Sequence, residues 1–353
     1  MDYGLRIDHH GGDHGPLILE AIRPCLGALR ARGGRLDAAL RPHWRQGPHL
    51  LVGLDADSAL ADAAWDALAR SARDWFAQAP PRAPLDVEAF RARTRTLAAL
   101  EGLPAEAGPL RADGEVERGR FAVPHPLGEA CLTPPRDRFK ATTLADVFDL
   151  IALRIASPAQ ALVDLALRMV CLQRLRWRDG LVFWPLSLQG QARASARSLP
   201  PAAVETLARQ VAALRPALAA RIQAAGLFDP EASLEPGLQA WVDRLQAGYD
   251  DLLRTVDAAP PDFVPGINAR MLQAQPPDPA TLRRSDLQTI AAMDHPTQFA
   301  YRMLMNVLYD LFPTAGFSPS QRFTVCHLVI DTLEADHPQA MARAYADGAA
   351  LCR

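Results

Sequence analysis

The stretch RPHWRQGPHLLVGL, residues 41–54, predicts a β-hairpin. A Gly-Pro pair at 47–48 forms the turn, and His49 begins the returning strand. Alternate residues of the first strand share one face, which would then carry three potential cations: Arg41, His43 and Arg45. Cations are costly to bury without a partner. We therefore expect this face to meet an anionic ligand, although the solvated face of an edge hairpin would explain the same pattern.

The segments around this hairpin predict a β-α-β-β-α order. Apolar residues alternate over 3–7 as in a strand, and a helical pattern follows from residue 16 to the glycines at 33–34. After the hairpin, residues 58–78 form an amphipathic pattern. This order opens the ferredoxin-like arrangement, so the sequence predicts an α/β unit over residues 1–130.

Helical patterns dominate the second half of the chain. We expect helices at about 143–156, 158–177, 201–225, 234–257, 283–293, 297–312, 319–335 and 338–350. Two runs favour strands, RFAVPH at 120–125 and GLVFWPLSL at 180–188. The predicted fold class is α+β, with the ferredoxin-like unit followed by a mainly helical unit over 131–353 and a cleft between them.

Composition excludes several classes of protein. The chain has 353 residues, of which 49% are hydrophobic, and a net charge of −2, so we expect no nucleic-acid partner. The five cysteines form no CxxC pair. No apolar run is long enough for a signal peptide or a membrane span, so we expect a cytoplasmic protein. Lys140 is the sole lysine among 38 basic residues, a bias that indicates a GC-rich genome and makes any single arginine weak evidence.

DHHGGDHG at residues 8–15 raises the possibility of a metal site, since it holds three histidines and two aspartates. The stretch connects the first strand to the first helix, where Asp13 suits an N-cap and the glycines suit a tight turn. Two ligands from one turn do not close a coordination shell. We expect a polar turn, and no stoichiometric metal, while a turn that lines a pocket remains open.

Residues 41–54 resemble the strand-turn-strand motif in the C-terminal domain of LanB-type lantibiotic dehydratases, the domain that also defines thiopeptide-type bacteriocin biosynthesis proteins. Segments 136–155, 183–194 and 302–329 resemble later parts of that domain in the same order. The resemblance implies chemistry on ribosomally made peptides without metal or cofactor. Members either eliminate glutamate from glutamylated Ser or Thr, or join two dehydroalanines by a formal [4+2] aza-cycloaddition that expels the leader peptide.

The departures from the family favour the cycloaddition. The eliminating domain carries a histidine before its late asparagine, whereas here Tyr301 and Arg302 precede Asn306. Arginine cannot serve as the base, and a cycloaddition depends mainly on proximity and on donors to an amide oxygen. The predicted catalytic residues are Tyr301, Arg45, His43 and Arg302. The predicted substrate-binding residues are Arg41, His49, Asn306, Arg138 and Ser187.

The implied partner is a precursor peptide, leader plus core, with a glutamylating dehydratase as a further candidate and the chain a monomer or homodimer. Two alternatives to the cycloaddition stay open within the family, namely a glutamate-eliminating lyase and a non-catalytic peptide-binding subunit. A third is an unrelated α+β protein whose arginines reflect codon usage alone.

Overall fold

The computed structural model describes residues 2–79, 84–101, 108–121, 130–180, 182, 184–274 and 294–350. The chain forms two compact units. The first contains Met1–Ile155 and Asp310–Gly316, and the second contains Ala156–Tyr309 and Phe317–Arg353. The compact first unit thus includes residues 131–155, whereas the sequence placed the start of the helical unit at residue 131. The cleft between the units stays a prediction.

The first unit is built on a four-stranded antiparallel sheet in the order β2-β3-β1-β4. Its strands are β1 (Asp2–Asp8), β2 (Leu36–His43), β3 (His49–Ala56) and β4 (Val116–Arg118). Between β1 and β2 lie α1 (Gly15–Leu17), a π-helical turn (Ile18–Ile22) and α2 (Arg23–Arg30). Between β3 and β4 lie α3 (Ser58–Gln78) and α4 (Val87–Glu101). This β-α-β-β-α-β order confirms the predicted ferredoxin-like unit.

The strand predicted at 120–125 is wrong in its described part, because Arg120 and Phe121 lie outside any strand. Residues 122–125 lie outside the described residues. The fourth strand is β4, which pairs with the second half of β1. The amide of Phe121 still donates to the Tyr3 carbonyl oxygen at 3.0 Å. The register shift between Tyr3 and Leu5 interrupts the ladder at this point.

The two faces of the sheet differ in chemistry. Helix α3 covers one face, and a Cβ on Gly4 would lie 2.6 Å from Trp65 of that helix. Apolar side chains fill this side: Leu5, Ile7, Leu40, Leu50 and Val52. We call the opposite side the polar sheet face, defined by Tyr3, Arg6, Asp8, Arg41, His43 and His49. Helix α5 (Thr133–Thr142) packs against β2 and presents charged residues to this face.

The second unit is helical. After α6 (Leu144–Ala156), the helices are α7 (Pro158–Val170), α8 (Trp184–Ser198), α9 (Pro201–Ala225), α10 (Pro236–Asp257), α11 (Phe263–Ala274), α12 (Pro296–Thr314), α13 (Pro319–Asp336) and α14 (Pro338–Ala350). Helix α13 lies at the centre and packs against α7, α8 and α9. The last turn of α12, from Asp310, belongs to the first unit.

The predicted helices of this unit that fall on described residues are confirmed. The strand favoured at 180–188 is wrong, since α8 begins at Trp184 with Pro185 in its first turn, a position that proline tolerates. Helix α11 was not predicted, because Pro265 and Gly266 stand in its first turn. The helix predicted at 283–293 lies outside the described residues. None of the described helices combines the length and the apolar character that crossing a membrane would require.

Candidate functional site

Two rows of paired residues cross the polar sheet face. In one row His43 lies opposite His49, which lies opposite Asp8. The rings of His43 and His49 have centroids 5.3 Å apart, so the two imidazoles are in contact. In the other row Leu51 separates Arg41 from Arg6. The register therefore brings cations and imidazoles together on one face.

Arg6 holds the hairpin turn against β1. Its guanidinium forms a buried ion pair with Asp8 at 2.6 Å and donates to the Arg45 carbonyl oxygen at 3.1 Å. Gln46 in this turn has a φ of 64°, in the left-handed region that non-glycine residues seldom adopt. Arg6 also donates to the Gln46 side-chain oxygen at 3.3 Å. The turn geometry is thus maintained by a residue on the neighbouring strand.

Both histidines of the pair are neutral at physiological pH. Burial lowers the pKa of His43 to about 4, assisted by Arg41, Arg6 and Arg45. Burial likewise lowers the pKa of His49 to about 3, against the opposing effect of its hydrogen bond to Gly47. A neutral imidazole is a hydrogen-bond donor through one nitrogen and an acceptor through the other.

The backbone selects the tautomers of this pair. The Arg45 amide donates to Nδ1 of His43 at 3.2 Å, which assigns the proton of His43 to Nε2. His49 donates from Nδ1 to the Gly47 carbonyl oxygen at 2.8 Å, so its Nε2 is an acceptor. His43 can therefore donate to a carbonyl oxygen while His49 accepts from an N–H group, a combination that suits a peptide amide.

A second group of charges, which we call the cation cluster, consists of Arg41, Arg136, Lys140 and Asp310. Lys140 Nζ lies 2.8 Å from Asp310 Oδ2, and Arg136 Nη2 lies 3.7 Å from the same oxygen. Arg136 and Lys140 expose only 7% and 5% of their side chains, whereas Asp310 exposes 39%. The Asp310 carboxylate therefore interacts with two buried cations while its side chain remains partly exposed to solvent.

Electrostatic effects within the first unit link this cluster to the sheet. Burial lowers the pKa of Lys140, and Arg41 lowers it further, while Asp310 opposes both. Burial disfavours the charged form of Asp310, yet Lys140 and Arg41 together keep its pKa below the usual value. Burial also raises the pKa of Tyr3 to about 12. The cluster therefore contains two fixed guanidinium charges, one desolvated ammonium and an ionised aspartate beside a neutral phenol.

The second unit contains its own predicted site residues. Tyr301 is 1% exposed and donates its hydroxyl proton to the Trp184 carbonyl oxygen at 2.8 Å. Ser187 hydrogen-bonds to Tyr301, while burial raises the pKa of that phenol strongly. The Cys326 thiol nearby also has its pKa raised to about 12 by burial. The predicted Tyr301 and Ser187 thus come together in a dry environment without an activated thiol.

Arg302 belongs to a separate polar chain in the same unit. It donates to the side-chain oxygen of Asn268 at 3.1 Å, and Asn268 donates to Asp294 at 2.8 Å. Burial lowers the pKa of Arg302, which Asp294 partly offsets. The structure gives Arg302 a defined protein partner that the sequence did not suggest.

Three of the other predicted residues are exposed. Strand β2 ends at His43, so Arg45 lies in the turn and does not continue the row of strand cations. Arg138 is the exposed position of an otherwise buried stretch of α5, and Asn306 is an exposed position of α12. Their proposed roles in substrate binding or catalysis stay predictions.

Sequence reasoning missed Arg136, Lys140 and Asp310. Lys140 carried the one available signal, as the only lysine of an arginine-rich chain. The charged side of α5 gave no apolar periodicity, because it packs on a polar sheet face. Asp310 stands alone in the apolar stretch NVLYDLF, where nothing local indicates its two cationic neighbours.

The His-rich turn lines a pocket of about 1000 Å³, together with the C-terminal part of α3 and residues 84–86. Nδ1 of His9 and Nδ1 of His14 lie 3.1 Å apart, and burial lowers the pKa of His14 to about 3. His14, not Asp13, is the N-cap residue, while Asp13 accepts from the Gly15 amide at 2.9 Å. Across the described part of the chain, no three His, Cys, Asp or Glu side chains are grouped as a metal site requires.

Comparison with known proteins gives structural neighbours only. No family model matches the chain, and no curated protein matches its sequence. Among solved structures, the pyridine synthase TbtD from thiomuracin biosynthesis is similar over 96% of this chain and 99% of its own, with a TM-score of 0.67 and 22% identity. TsrL is similar over 100% of this chain and 98% of its own, with a TM-score of 0.59 and 14% identity. At these identities the likeness shows a shared fold.

Proposed function

We propose that this chain is a tailoring enzyme for ribosomally synthesised peptides, and that it catalyses a pyridine-forming [4+2] aza-cycloaddition between two dehydroalanines with loss of the leader. The observation that carries the proposal is the similarity, over 96% of this chain, to the pyridine synthase TbtD. The resemblance of residues 41–54 to the thiopeptide-type family supports the same class independently.

The chemistry of the polar sheet face agrees with this proposal. A cycloaddition needs two alkenes held close together and an amide oxygen polarised by donors. His43 offers a neutral Nε2–H, Arg41 a fixed cation, and His49 an acceptor for a peptide N–H. We assign His43 and His49 to the amide of the dehydrated peptide, and Arg41 to a carboxylate or backbone carbonyl group of the same peptide, with Arg45 binding at the rim of this surface.

We also propose roles for the predicted residues of the second unit. Tyr301 and Arg302 would polarise an amide of the substrate, Asn306 would orient them, and Ser187 would contact the peptide. Arg138, on α5 of the first unit, would also contact the peptide. The Tyr301 hydroxyl already donates to a backbone oxygen. To donate to a substrate amide instead, the Tyr301 hydroxyl must leave the Trp184 carbonyl oxygen, which would then accept a hydrogen bond from Ser187 or from the substrate.

The experiment supplies the purified protein with two peptides and follows their masses. A dehydrated precursor should lose the leader amide and water and gain pyridine absorbance. A glutamylated precursor should remain unchanged, because elimination is not the reaction. Loss of glutamate would replace the proposal with the eliminating activity, and binding without turnover of either peptide would replace it with a binding subunit.

Variants separate chemistry from binding. Arg45→Ala and Tyr301→Phe should abolish product formation while changing peptide affinity only a few-fold, the behaviour of interactions made in the transition state. Arg35→Ala is the matched control, because Arg35 is an exposed arginine paired with Asp55 at the other end of β2. If Arg45→Ala and Tyr301→Phe lose only affinity, both residues bind peptide and do not take part in the reaction.

A further inference from the structure

The cation cluster contains more positive charge than the described carboxylates near it compensate, because three cations face Asp310 and the buried Asp137, which also acts on Arg136. Asp310 is shared by Lys140 and Arg136, and Arg41 acts on the same carboxylate through space. A buried cation without a partner is costly, so natural proteins pair such groups or bind a ligand there.

Two arginines of this cluster have unused donors within the described residues. Arg41 is half-buried, and it forms neither an ion pair nor a side-chain hydrogen bond with any residue that the structure describes. Nε of Arg136 is buried and has no hydrogen-bond partner in the same part of the chain. Arginine side chains present planar arrays of donors that match a carboxylate in geometry. Their unused donors mark the place where a further anion would bind.

The identity of residue 140 strengthens this argument. In a chain with 38 basic residues, only Lys140 is lysine, and it is 5% exposed. Lysine differs from arginine in placing a compact charge with three donors at the end of its side chain. Among the residues that the structure describes, these donors have one acceptor, Asp310 Oδ2. The remaining donors can bind a second carboxylate beside the first.

We propose that Arg41, Arg136 and Lys140 form a binding site for one carboxylate group of a ligand, with Asp310 as the resident carboxylate that holds the two buried cations in position. The neighbouring Tyr3, which is neutral at physiological pH, supplies a phenol at the edge of the site. Only the peptide nature of the ligand rests on the proposed function; the carboxylate specificity rests on the cluster itself.

The sole lysine makes the site directly observable. Labelling the protein with ¹³C,¹⁵N-lysine gives one lysine side chain in an NMR spectrum, that of Lys140. Titration with acetate at constant ionic strength should shift its Nζ and Cε signals along a saturating curve, whereas chloride should not. A shift that stays linear to the highest acetate concentration, or an equal response to chloride, would overturn the proposal without any variant.

Variants then test the geometry. Arg41→Met should weaken acetate binding by about tenfold or more, the equivalent of one charged hydrogen bond. It should leave the free energy of unfolding unchanged or increase it, because Arg41 forms no described ion pair or hydrogen bond, and its repulsion of Lys140 and Arg136 opposes its attraction to Asp310. Arg35→Met, an exposed arginine of the same unit, is the control and should bind acetate as the wild type does. Unchanged binding by Arg41→Met would refute the site.

The Asp310→Asn variant should change acetate affinity in the opposite direction from Arg41→Met. Removing the resident carboxylate should tighten acetate binding, even though the variant loses stability, which a purely structural role for Asp310 would not predict. Titration with two small carboxylate compounds distinguishes an acidic side chain from a chain terminus as the ligand group. N-acetyl-aspartate N-methylamide presents an acidic side chain, and N-acetyl-alanine presents a chain terminus. Because these titrations need no turnover, saturable binding without cycloaddition would refute the proposed reaction alone.

Discussion

Acid should destabilise this protein more steeply than its carboxylates alone would, because His49 is neutral in the folded state. Its side chain is 2% exposed, and its Nδ1 donates to Gly47 at 2.8 Å. Burial lowers the pKa of His49 from 6.5 to about 3. The unfolded chain therefore binds a proton below pH 6.5 that the folded chain does not bind until about pH 3. This stability is fully present above the unfolded pKa and is lost as the pH falls.

Proton linkage gives the size of the effect. One proton bound only by the unfolded state costs about 1.4 kcal/mol of stability per pH unit. Between neutral pH and pH 5, His49 alone accounts for about 2 kcal/mol, a large part of the stability of an ordinary domain. Burial also lowers the pKa of His43 to about 4, which adds a contribution of the same sign in the same window.

The assay is urea denaturation of the wild type and His49→Asn over a series of pH values from neutral to pH 5. Asparagine places an N–H donor near the former Nδ1, so the bond to Gly47 can be retained without a titrating ring. We expect the slope of unfolding free energy against pH to decrease by about 1.4 kcal/mol per pH unit. Ile22→Val is the control, because it removes a buried methyl and lowers stability equally at every pH. Parallel slopes for the wild type and His49→Asn would refute the linkage argument.

Two further predictions follow from the first unit. Metal analysis of the purified protein, with and without chelator, should find no stoichiometric metal at residues 8–15; one tightly held ion whose removal abolishes activity would contradict this. Arg154 donates to Asp13 at 2.7 Å and to the Ala315 carbonyl oxygen at 2.8 Å, so Arg154→Ala should cost about 1–3 kcal/mol of unfolding free energy in urea. Arg154→Lys should restore only part of this loss, because an ammonium cannot reproduce both hydrogen bonds, and full restoration would show that charge alone matters.

The sequence predicts three of the four strands of the sheet in the first unit, because local patterns determine them. The hairpin around 47–48 and the amphipathic pattern at 58–78 match β2, β3 and α3. A helix such as α8 is harder to predict, since the short apolar run VFWPLSL fits a buried strand or a buried helix equally. Its type is settled by the polar segment that follows, which continues the helix to Ser198.

The candidate site was predictable only where it lies on a strand. Alternation along β2 places Arg41 and His43 on one face, and the turn brings His49 opposite His43. By contrast, Lys140 and Asp310 are separated by 170 residues, and no local pattern relates them. Helix α5 could not be predicted from apolar periodicity, and the cause is the charged residues that it contributes to the site. Its buried side is charged, so the apolar periodicity that reveals most helices is missing.

The stability of the fold alone does not explain the cation cluster. Replacing a buried ion pair by apolar residues of similar volume is often neutral or stabilising, and the partners of Lys140 and Arg136 could be removed together with them. Instead the chain retains two desolvated cations on one partly exposed carboxylate, beside Arg41 on the sheet. Such an arrangement keeps charged donors fixed before a ligand arrives, so that little reorganisation is needed on binding. The same bias that makes each of the arginines uninformative therefore gives weight to Lys140, because lysine stands at this position whereas arginine stands at every other basic position.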